Sequence, residues 1–235
     1  MIGCGNGHHD LAFVHECLPN VTELTAVEPD ADQMTELRTK IAQQFPTVST
    51  DFYQETAESW SAIDKPFEAV LLFYCLYYVP LPERSAVFKK LFDKVLVSGG
   101  LVFIMISPCN VEHPYIPDKL KTTLSSSPLD IDGIQICDMM KAVGFSDCYQ
   151  MPMKFQMNVE EIDGDILSLL QFFSRGRASL EDCLKAAEKE FGNKKIIPHE
   201  SWFGVFRKPW LSEHCVAISI LCTVFCECCN FILIK

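Results

Sequence analysis

The chain has 235 residues, with 31 acidic and 20 basic side chains, a net charge of -11 at pH 7 and a pI near 5.0. This length suits one α/β domain with a substantial core, and the acidic surface would repel nucleic acid. The 12 cysteines show no disulfide-like spacing and no signal peptide is visible, so we expect reduced thiols in a cytoplasmic protein.

The first part of the chain alternates predicted helices and strands. Three glycines, Gly3, Gly5 and Gly7, open the first helix, and the next apolar run ends at Glu28-Pro29. Apolar periodicity predicts a helix over 10–17, a strand over 24–27, a helix over 31–45 and strands over 48–53 and 67–78. The last of these is so continuously apolar that we place it centrally in a parallel sheet.

The second part begins with a predicted helix over 83–97, whose outer face carries Arg84, Lys89, Lys90 and Lys94. Gly99 and Gly100 are expected to supply its left-handed cap. The elements predicted beyond it are a strand over 101–106, a long loop over 107–129, helices over 132–143, 162–174 and 180–191, and strands over 147–159 and 202–207.

This order predicts a doubly wound, mostly parallel, Rossmann-like sheet. Ligands in such sheets bind beyond the carboxyl ends of the strands. The glycine turn, Glu28, the segment 54–58 and the segment 74–78 all fall on that edge. We therefore expect the binding site there.

The glycine turn and the acid that follows the strand over 24–27 are typical of a nucleoside cofactor site. Gly3 and Gly5 allow a sharp turn and close approach to a ligand, and Glu28 can accept hydrogen bonds from ribose hydroxyls. Both dinucleotides and S-adenosylmethionine use this pairing. His8 occupies the position of the third glycine of a dinucleotide fingerprint, which favours the adenosyl cofactor, while helix packing is the alternative role for the glycines.

The chain resembles the class I S-adenosylmethionine-dependent methyltransferases, and within them histamine N-methyltransferase and its relatives. The resemblance rests on the segments IGCGNGHHDL, VEPDADQ, QET, LYYV, SGGLVFIMIS and DGDILSLLQFF, which are spread over residues 2–208. It implies the methyltransferase fold, S-adenosylmethionine as cofactor and a small amine as substrate.

The resemblance also implies roles for individual residues. Gly3 would lie against the methionine part of the cofactor, Glu28 would hold the ribose, and Gln33 would lie near the nucleoside. Ala57 and Phe73 would line the adenine and methionine pocket, although Ala57 replaces a serine of the family.

On the substrate side, Tyr74 stands where the family has a glutamine and His199 where it has an asparagine. Aromatic faces favour a sulfonium or a cationic amine, so Tyr74, Tyr77 and Tyr78 are candidate substrate residues, as is Trp202. Core packing is the alternative for all of them. Methyl transfer needs positioning and exclusion of water more than a covalent catalyst, so no catalytic residue is assigned.

A metal site is not expected. His8, His9 and Asp10 are adjacent on a helix and their side chains diverge, so they would rarely converge on one ion. We expect Asp10 to cap the helix and Cys4 to fill space under the turn.

The two ends of the sequence do not fit the family pattern. Only Ile2 precedes the glycine turn where a central first strand is expected, so we expect that strand to be largely missing and the chain to be poorly stable alone. The methyltransferase domain is predicted over 1–208. An apolar, cysteine-rich tail follows over 209–235 and is expected to come from an alternative exon or translated non-coding sequence, with a membrane anchor and a cysteine metal site as the alternatives.

These observations predict an S-adenosylmethionine-dependent N-methyltransferase that acts on a small amine such as histamine, as a monomer. A non-catalytic or vestigial cofactor-binding protein of the same fold is the first alternative. An NAD-dependent Rossmann enzyme is the second.

Overall fold

The computed structural model describes residues 1–61, 65–106, 131–158 and 196–210, together with positions 179, 181, 182 and 185. At 155–158 and 196–200 it describes the backbone alone. The predicted loop over 107–129, the helix over 162–174, nearly all of the helix over 180–191 and the tail beyond 210 lie outside the described residues.

The described residues form alternating helices and strands in the predicted order. These are α1 (His8–Cys17), β1 (Glu23–Val27), α2 (Ala31–Gln44), β2 (Ser49–Tyr53), β3 (Phe67–Phe73), α3 (Leu81–Lys90), a π-helical turn (Leu91–Val95), β4 (Leu96–Ile106), α4 (Gly133–Val143), β5 (Ser146–Asn158) and β6 (Ile196–Arg207).

The strands form two sheets. The strands β1 and β2 pair in parallel, and β3 pairs in parallel with β4 in a second sheet of order β3-β4-β6-β5. The parallel pairs and the intervening helices confirm the predicted Rossmann-like α/β class.

Ile2 bridges the two sheets in the position expected for the first strand. It forms an isolated parallel bridge with Val27, and its N–H donates to the Leu71 carbonyl at 3.0 Å. The N–H of Gly3 donates to the Val27 carbonyl at 2.7 Å. In the described structure, the segment Met1 to Gly3 therefore connects the edge of β1 to the edge of β3.

Local sequence explains how α2 begins and which face it buries. The carboxylate of Asp30 accepts from the N–H groups of Asp32 and Gln33, both at 2.9 Å, which satisfies two donors at the helix start. The buried stripe consists of Met34, Leu37 and Ile41 at helical spacing.

The described residues 1–106, 133–151 and 203–210 form one compact unit, and residues 131–132, 152–158 and 196–202 belong to a second. An aromatic cluster lies in the core of the first unit. The ring centroid of Phe13 lies 5.3 Å from that of Phe73, 5.0 Å from that of Phe103 and 6.5 Å from that of Phe203. All four rings are buried, so this cluster fastens α1 to the sheet.

The predicted strand over 67–78 is too long. The strand β3 ends at Phe73, because Tyr74 adopts a left-handed conformation with φ of 53° that turns the chain out of the ladder. The apolar residues after it pack in a turn, where Cys75, Leu76 and Tyr77 are buried.

The predicted helix over 83–97 and its cap are also wrong in detail. The helix α3 passes into the π-helical turn, and Gly99 and Gly100 lie inside β4. Gly99 has φ of 80° and donates its N–H to the Lys208 carbonyl at 2.9 Å. The glycine therefore allows an irregular, left-handed conformation within β4 and does not cap a helix. Arg84 faces inward and is fully buried, with its Nε donating to the Val79 carbonyl at 3.0 Å.

No disulfide joins any two of the five cysteines in the described part of the chain. They are Cys4, Cys17, Cys75, Cys137 and Cys148. In the same part of the chain, no helix combines the length and the apolar character needed to cross a membrane.

Replacing Phe13 with alanine tests the aromatic cluster. Because the side chain is buried among three other rings, we expect Phe13→Ala to lower the free energy of unfolding by about 3 to 5 kcal/mol. The matched control is Tyr149→Ala, where the side chain is 52 % exposed and the expected change is within about 0.5 kcal/mol. Equal losses in urea denaturation would contradict a core role for the cluster.

Candidate functional site

The glycine turn adopts a conformation that other residues rarely reach. Gly3, Gly5 and Gly7 have φ of 61°, 51° and 76°. A Cβ on Gly3 would lie 2.4 Å from Cβ of Cys75, and one on Gly7 would lie 2.4 Å from Cδ1 of Leu37. These two glycines are therefore required for packing as well as for the turn.

Gly5 differs because its surroundings are open. The closest atom to a Cβ placed there is Oε1 of Gln33, at 3.5 Å. Gly5 is thus the member of the turn whose backbone can be approached from outside, next to the amide of Gln33.

Glu28 is joined to the glycine turn by hydrogen bonds. Its Oε2 accepts from the N–H of Gly5 at 2.7 Å, and its Oε1 accepts from the N–H of Asp30 at 3.1 Å. The residue is buried, and its own N–H donates to the Tyr53 carbonyl at 3.0 Å. Each carboxylate oxygen has a second lone pair, so both could also accept from a ligand.

A buried acid lies in the first turn of α1, beside the glycine turn. Asp10 is 2 % exposed, and burial raises its pKa to about 7, although the amino terminus of Met1 and a backbone hydrogen bond oppose the shift. Its Oδ1 has no hydrogen-bond partner among the described residues. The cap of α1 is Gly7, so the prediction that Asp10 caps the helix is wrong.

The two nearby thiols are buried. Burial, reinforced by the Asp10 carboxyl, raises the pKa of Cys4 to about 12 and the pKa of Cys75 well above its usual value. Both sulfurs therefore stay protonated near neutral pH, which agrees with the prediction that Cys4 fills space under the turn.

The end of β3 brings an aromatic ring to the start of α1. The ring centroid of Tyr74 lies 4.9 Å from that of His9, and the N–H of Tyr74 donates to the Met105 carbonyl at 2.8 Å. Tyr77 is buried, whereas Tyr78 is 70 % exposed. Of the three tyrosines, Tyr74 has the clearest link to the glycine turn.

His9 remains neutral in this setting. Part of the residue is exposed, but its ring lies against Tyr74, and this partial burial together with the neighbouring His8 lowers the pKa of His9 to about 4. Within the described part of the chain, no three His, Cys, Asp or Glu side chains are arranged to hold a metal ion.

A lysine holds the loop after β2. The Nζ of Lys90 donates to the carbonyls of Ala57, Glu58 and Trp60 at 2.6, 3.1 and 2.7 Å. The sequence placed Lys90 on an outer basic face, but three carbonyl acceptors draw it inward, and the resulting burial lowers its pKa. The position of Ala57 therefore depends on α3.

The structure brings part of the predicted site together. Gly5, Glu28 and Gln33 are neighbours, and Gly3 packs on the turn that follows Tyr74. The Phe73 ring lies in the aromatic cluster. His199 lies on β6 in the second unit, and its side chain is outside the described residues.

Sequence reasoning missed His9, Asp10 and Lys90 as neighbours of the site. Helical periodicity could have indicated Asp10, because Leu11 and Val14 mark the inner face of α1 and Asp10 lies on the same face. The contacts of His9 and Lys90 depend on turns after β2 and β3 that no periodic pattern describes.

The fold and the site together define a Rossmann-like domain with a glycine turn and an acid at the carboxyl edge of its parallel strands. Residues 1–100 match the family model described as "Methyltransferase domain". No curated protein matches the chain in sequence.

Solved methyltransferase structures share this fold. A protein from Bacillus halodurans C-125 described as a methyltransferase is 16% identical, with a TM-score of 0.58 over 88% of this chain and 90% of its own. A phosphoethanolamine N-methyltransferase from Haemonchus contortus, in complex with phosphomonomethylethanolamine and S-adenosylhomocysteine, is 16% identical, with a TM-score of 0.54 over 88% of this chain and 48% of its own. The chain therefore has the class I S-adenosylmethionine-dependent methyltransferase fold.

These findings also bear on the cofactor. The family model that matches describes methyltransferases, and two of the structural neighbours were solved with S-adenosylmethionine or S-adenosylhomocysteine, the cofactor class that the sequence predicts for this chain. They favour neither the NAD-dependent enzyme nor the non-catalytic protein.

The buried acid predicts a specific pH dependence of stability. The pKa of Asp10 is about 7 in the folded protein, whereas the ordinary value of 3.8 applies in the unfolded chain. As the pH rises, the unfolded chain therefore loses this proton first. Folding stability from this group is fully present below pH 3.8 and is lost towards pH 7. The loss of unfolding free energy between these pH values is on the order of a few kcal/mol, and we expect Asp10→Asn to abolish it.

Thermal unfolding between pH 4.5 and 8 would measure this difference. The stability of Asp10→Asn relative to the original chain should grow as the pH rises, whereas Asp51→Asn, at an exposed position of β2, should follow the original profile. Parallel profiles for Asp10→Asn and the original chain would sink the assignment.

Proposed function

We propose that this protein is an S-adenosylmethionine-dependent N-methyltransferase that acts on a small amine such as histamine. The observation that carries the proposal is the 2.7 Å hydrogen bond from the Gly5 N–H to Glu28, which holds a buried carboxylate beside an open, positive-φ turn. The residues that would hold the cofactor are Gly3, Gly5, Glu28, Gln33, Ala57 and Phe73.

The geometry of the turn fits such a cofactor. A side chain on Gly5 would enter the space beside Oε1 of Gln33, so the glycine keeps that space open. The Glu28 carboxylate has acceptor capacity left for two ribose hydroxyls. Because the Phe73 ring packs in the core, Phe73 would contribute through its backbone.

When bound, S-adenosylmethionine supplies an electrophilic methyl group to a neutral amine. The chain's task is then to orient the amine and exclude water. The Tyr74 ring, which lies beside His9 at the edge of the turn, would make a cation-π contact with the substrate or the sulfonium. His9 beside it is neutral above pH 4 and so would not repel a cationic substrate or sulfonium.

The amine assignment rests on the resemblance of the sequence to the histamine N-methyltransferases. One structural neighbour is described as a phosphoethanolamine N-methyltransferase, an enzyme that acts on a small amine. At 16% identity, this neighbour supports the fold and not the substrate. Tyr77, Tyr78 and His199 stay candidate substrate residues. A cytoplasmic location and a monomeric state are proposals from the sequence.

Isothermal titration calorimetry with S-adenosylhomocysteine tests the cofactor site. We expect binding to the original chain and a loss of about 10- to 100-fold in affinity for Glu28→Gln, because hydrogen bonds to a charged group contribute about 1.5 to 3 kcal/mol. Glu68→Gln makes the same chemical change on an exposed carboxylate near the amino end of β3 and should leave the affinity unchanged.

The same titration with NAD separates the rival cofactor class. No heat of binding is expected, because His8 replaces the third glycine of a dinucleotide turn. Binding of NAD without binding of S-adenosylhomocysteine would overturn the proposed function.

Methyl transfer to histamine tests the substrate side. If Tyr74 contacts the amine through its ring face, Tyr74→Ala should lower kcat/KM about 5- to 30-fold, whereas Tyr74→Phe should retain most activity. Tyr149→Ala, at an exposed position of β5, is the control for loss of a tyrosine. Equal rates for Tyr74→Ala and the original chain would exclude the contact, and cofactor binding without transfer to any small amine would favour the non-catalytic alternative.

A further inference from the structure

Two cysteine side chains, neither of them part of the candidate cofactor site, face each other at close range. Cys137 lies on α4 and Cys148 on β5, and their Sγ atoms are 2.8 Å apart. No disulfide joins them. The sulfurs of a disulfide are about 2.05 Å apart, so a bond between these two needs a closing movement of less than about 1 Å.

The turn between α4 and β5 brings the two cysteines together. The N–H of Gly144 donates to the Lys141 carbonyl at 3.0 Å, and the N–H of Phe145 donates to the Met140 carbonyl at 3.1 Å. These two bonds form a Schellman motif, whose positive-φ residue is Gly144 with φ of 115°. The chain therefore reverses directly after α4 and returns β5 to the last two turns of that helix, where Cys137 lies.

This turn is packed against the π-helical turn before β4. The ring centroid of Phe145 lies 5.1 Å from that of Phe92, and a Cβ on Gly144 would lie 3.2 Å from Cζ of Phe92. Phe145 is buried, and all of these residues belong to the first compact unit. The approach of the two thiols is thus fixed by the core of that unit.

The side chains of β5 direct the Cys137 thiol towards the strand. Cys148 and Gln150 are alternate residues of β5 and therefore point the same way. The Sγ of Cys137 lies 3.5 Å from Oε1 of Gln150, in addition to its contact with Cys148. Because the amide oxygen can only accept, the Cys137 thiol is the donor in that contact.

The two thiols differ in exposure. Cys137 is 4 % exposed, whereas Cys148 is partly exposed. Burial and the hydrogen bond with Cys148 raise the pKa of the Cys137 thiol, so it keeps its proton near neutral pH. A small oxidant therefore reaches Cys148 first, and Cys137 lies directly behind it as the second thiol.

We propose that Cys137 and Cys148 form an oxidative modification site, at which hydrogen peroxide converts the two thiols to a disulfide that a thiol reductant reverses. In the first step, the Cys148 thiolate attacks one peroxide oxygen. An S–O bond forms, the O–O bond breaks, and the second oxygen leaves as water with the proton that Cys148 gave up.

In the second step, the sulfur of Cys137 attacks the sulfur of Cys148. The S–S bond forms, the S–O bond breaks, and the departing hydroxide takes the Cys137 proton and leaves as water. The two thiols together lose two electrons and two protons, and the peroxide is reduced to two molecules of water. The product ties α4 to the strand that follows it.

Peptide mapping of the full chain tests the bond directly. Trypsin cleaves after Lys141, so the two cysteines fall in separate peptides, residues 122–141 and 142–154, neither of which contains another cysteine. The chain is treated with an equimolar amount of hydrogen peroxide, and the remaining thiols are alkylated before digestion. We expect these two peptides to be joined, and to separate on reduction with dithiothreitol.

Thermal unfolding measures the effect of the bond on the fold. A cross-link restricts the unfolded chain, so oxidation should raise the melting temperature by about 5 °C, and dithiothreitol should remove the rise. Cys148→Ser should abolish both the joined peptide and the rise. Cys17→Ser, which changes another partly exposed cysteine, should retain both.

The outcomes separate this site from general thiol oxidation. A yield of the Cys137–Cys148 peptide no greater than that of other cysteine pairs would overturn the proposal, as would oxidation of Cys148 to a sulfinic acid without a joined peptide. A zinc ion that both thiols hold in the reduced chain, and that protects them from peroxide, would assign the pair to a metal and would also overturn it. The peptide map of the original chain does not require any variant to fold, and no measurement depends on methyl transfer.

Discussion

The hydrogen bond between the Gly5 N–H and the Glu28 carboxylate is the contact on which the candidate site depends. It joins the turn before α1 to the end of β1, two segments separated by the whole of α1. A buried carboxylate is stable only when donors replace its lost hydration. Gly5 and Asp30 supply two such donors. The turn and the acid therefore hold each other in place.

A second constraint lies at the end of β3. A left-handed backbone conformation costs a residue with a side chain about 1 to 2 kcal/mol, and Tyr74 adopts one with φ of 53°. The ladder bond to Met105 and the ring contact with His9 maintain it. In return, the tyrosine ring is directed to the start of α1, which a continuing strand would not achieve. Local strain at the carboxyl edge of a parallel sheet is common at functional sites.

The sequence predicted the elements whose burial is periodic, and failed where polar groups turn inward. The stripe of Met34, Leu37 and Ile41 specifies α2 because its period matches one face of a helix. The apolar run after Phe73 also matched a strand, but it is buried in a turn, and composition does not distinguish the two. The charge of Lys90 predicts an exposed position. Its ammonium group instead donates to three backbone carbonyls of residues that lie 30 or more positions earlier in the chain. Such contacts follow from tertiary structure, so no local pattern could reveal them.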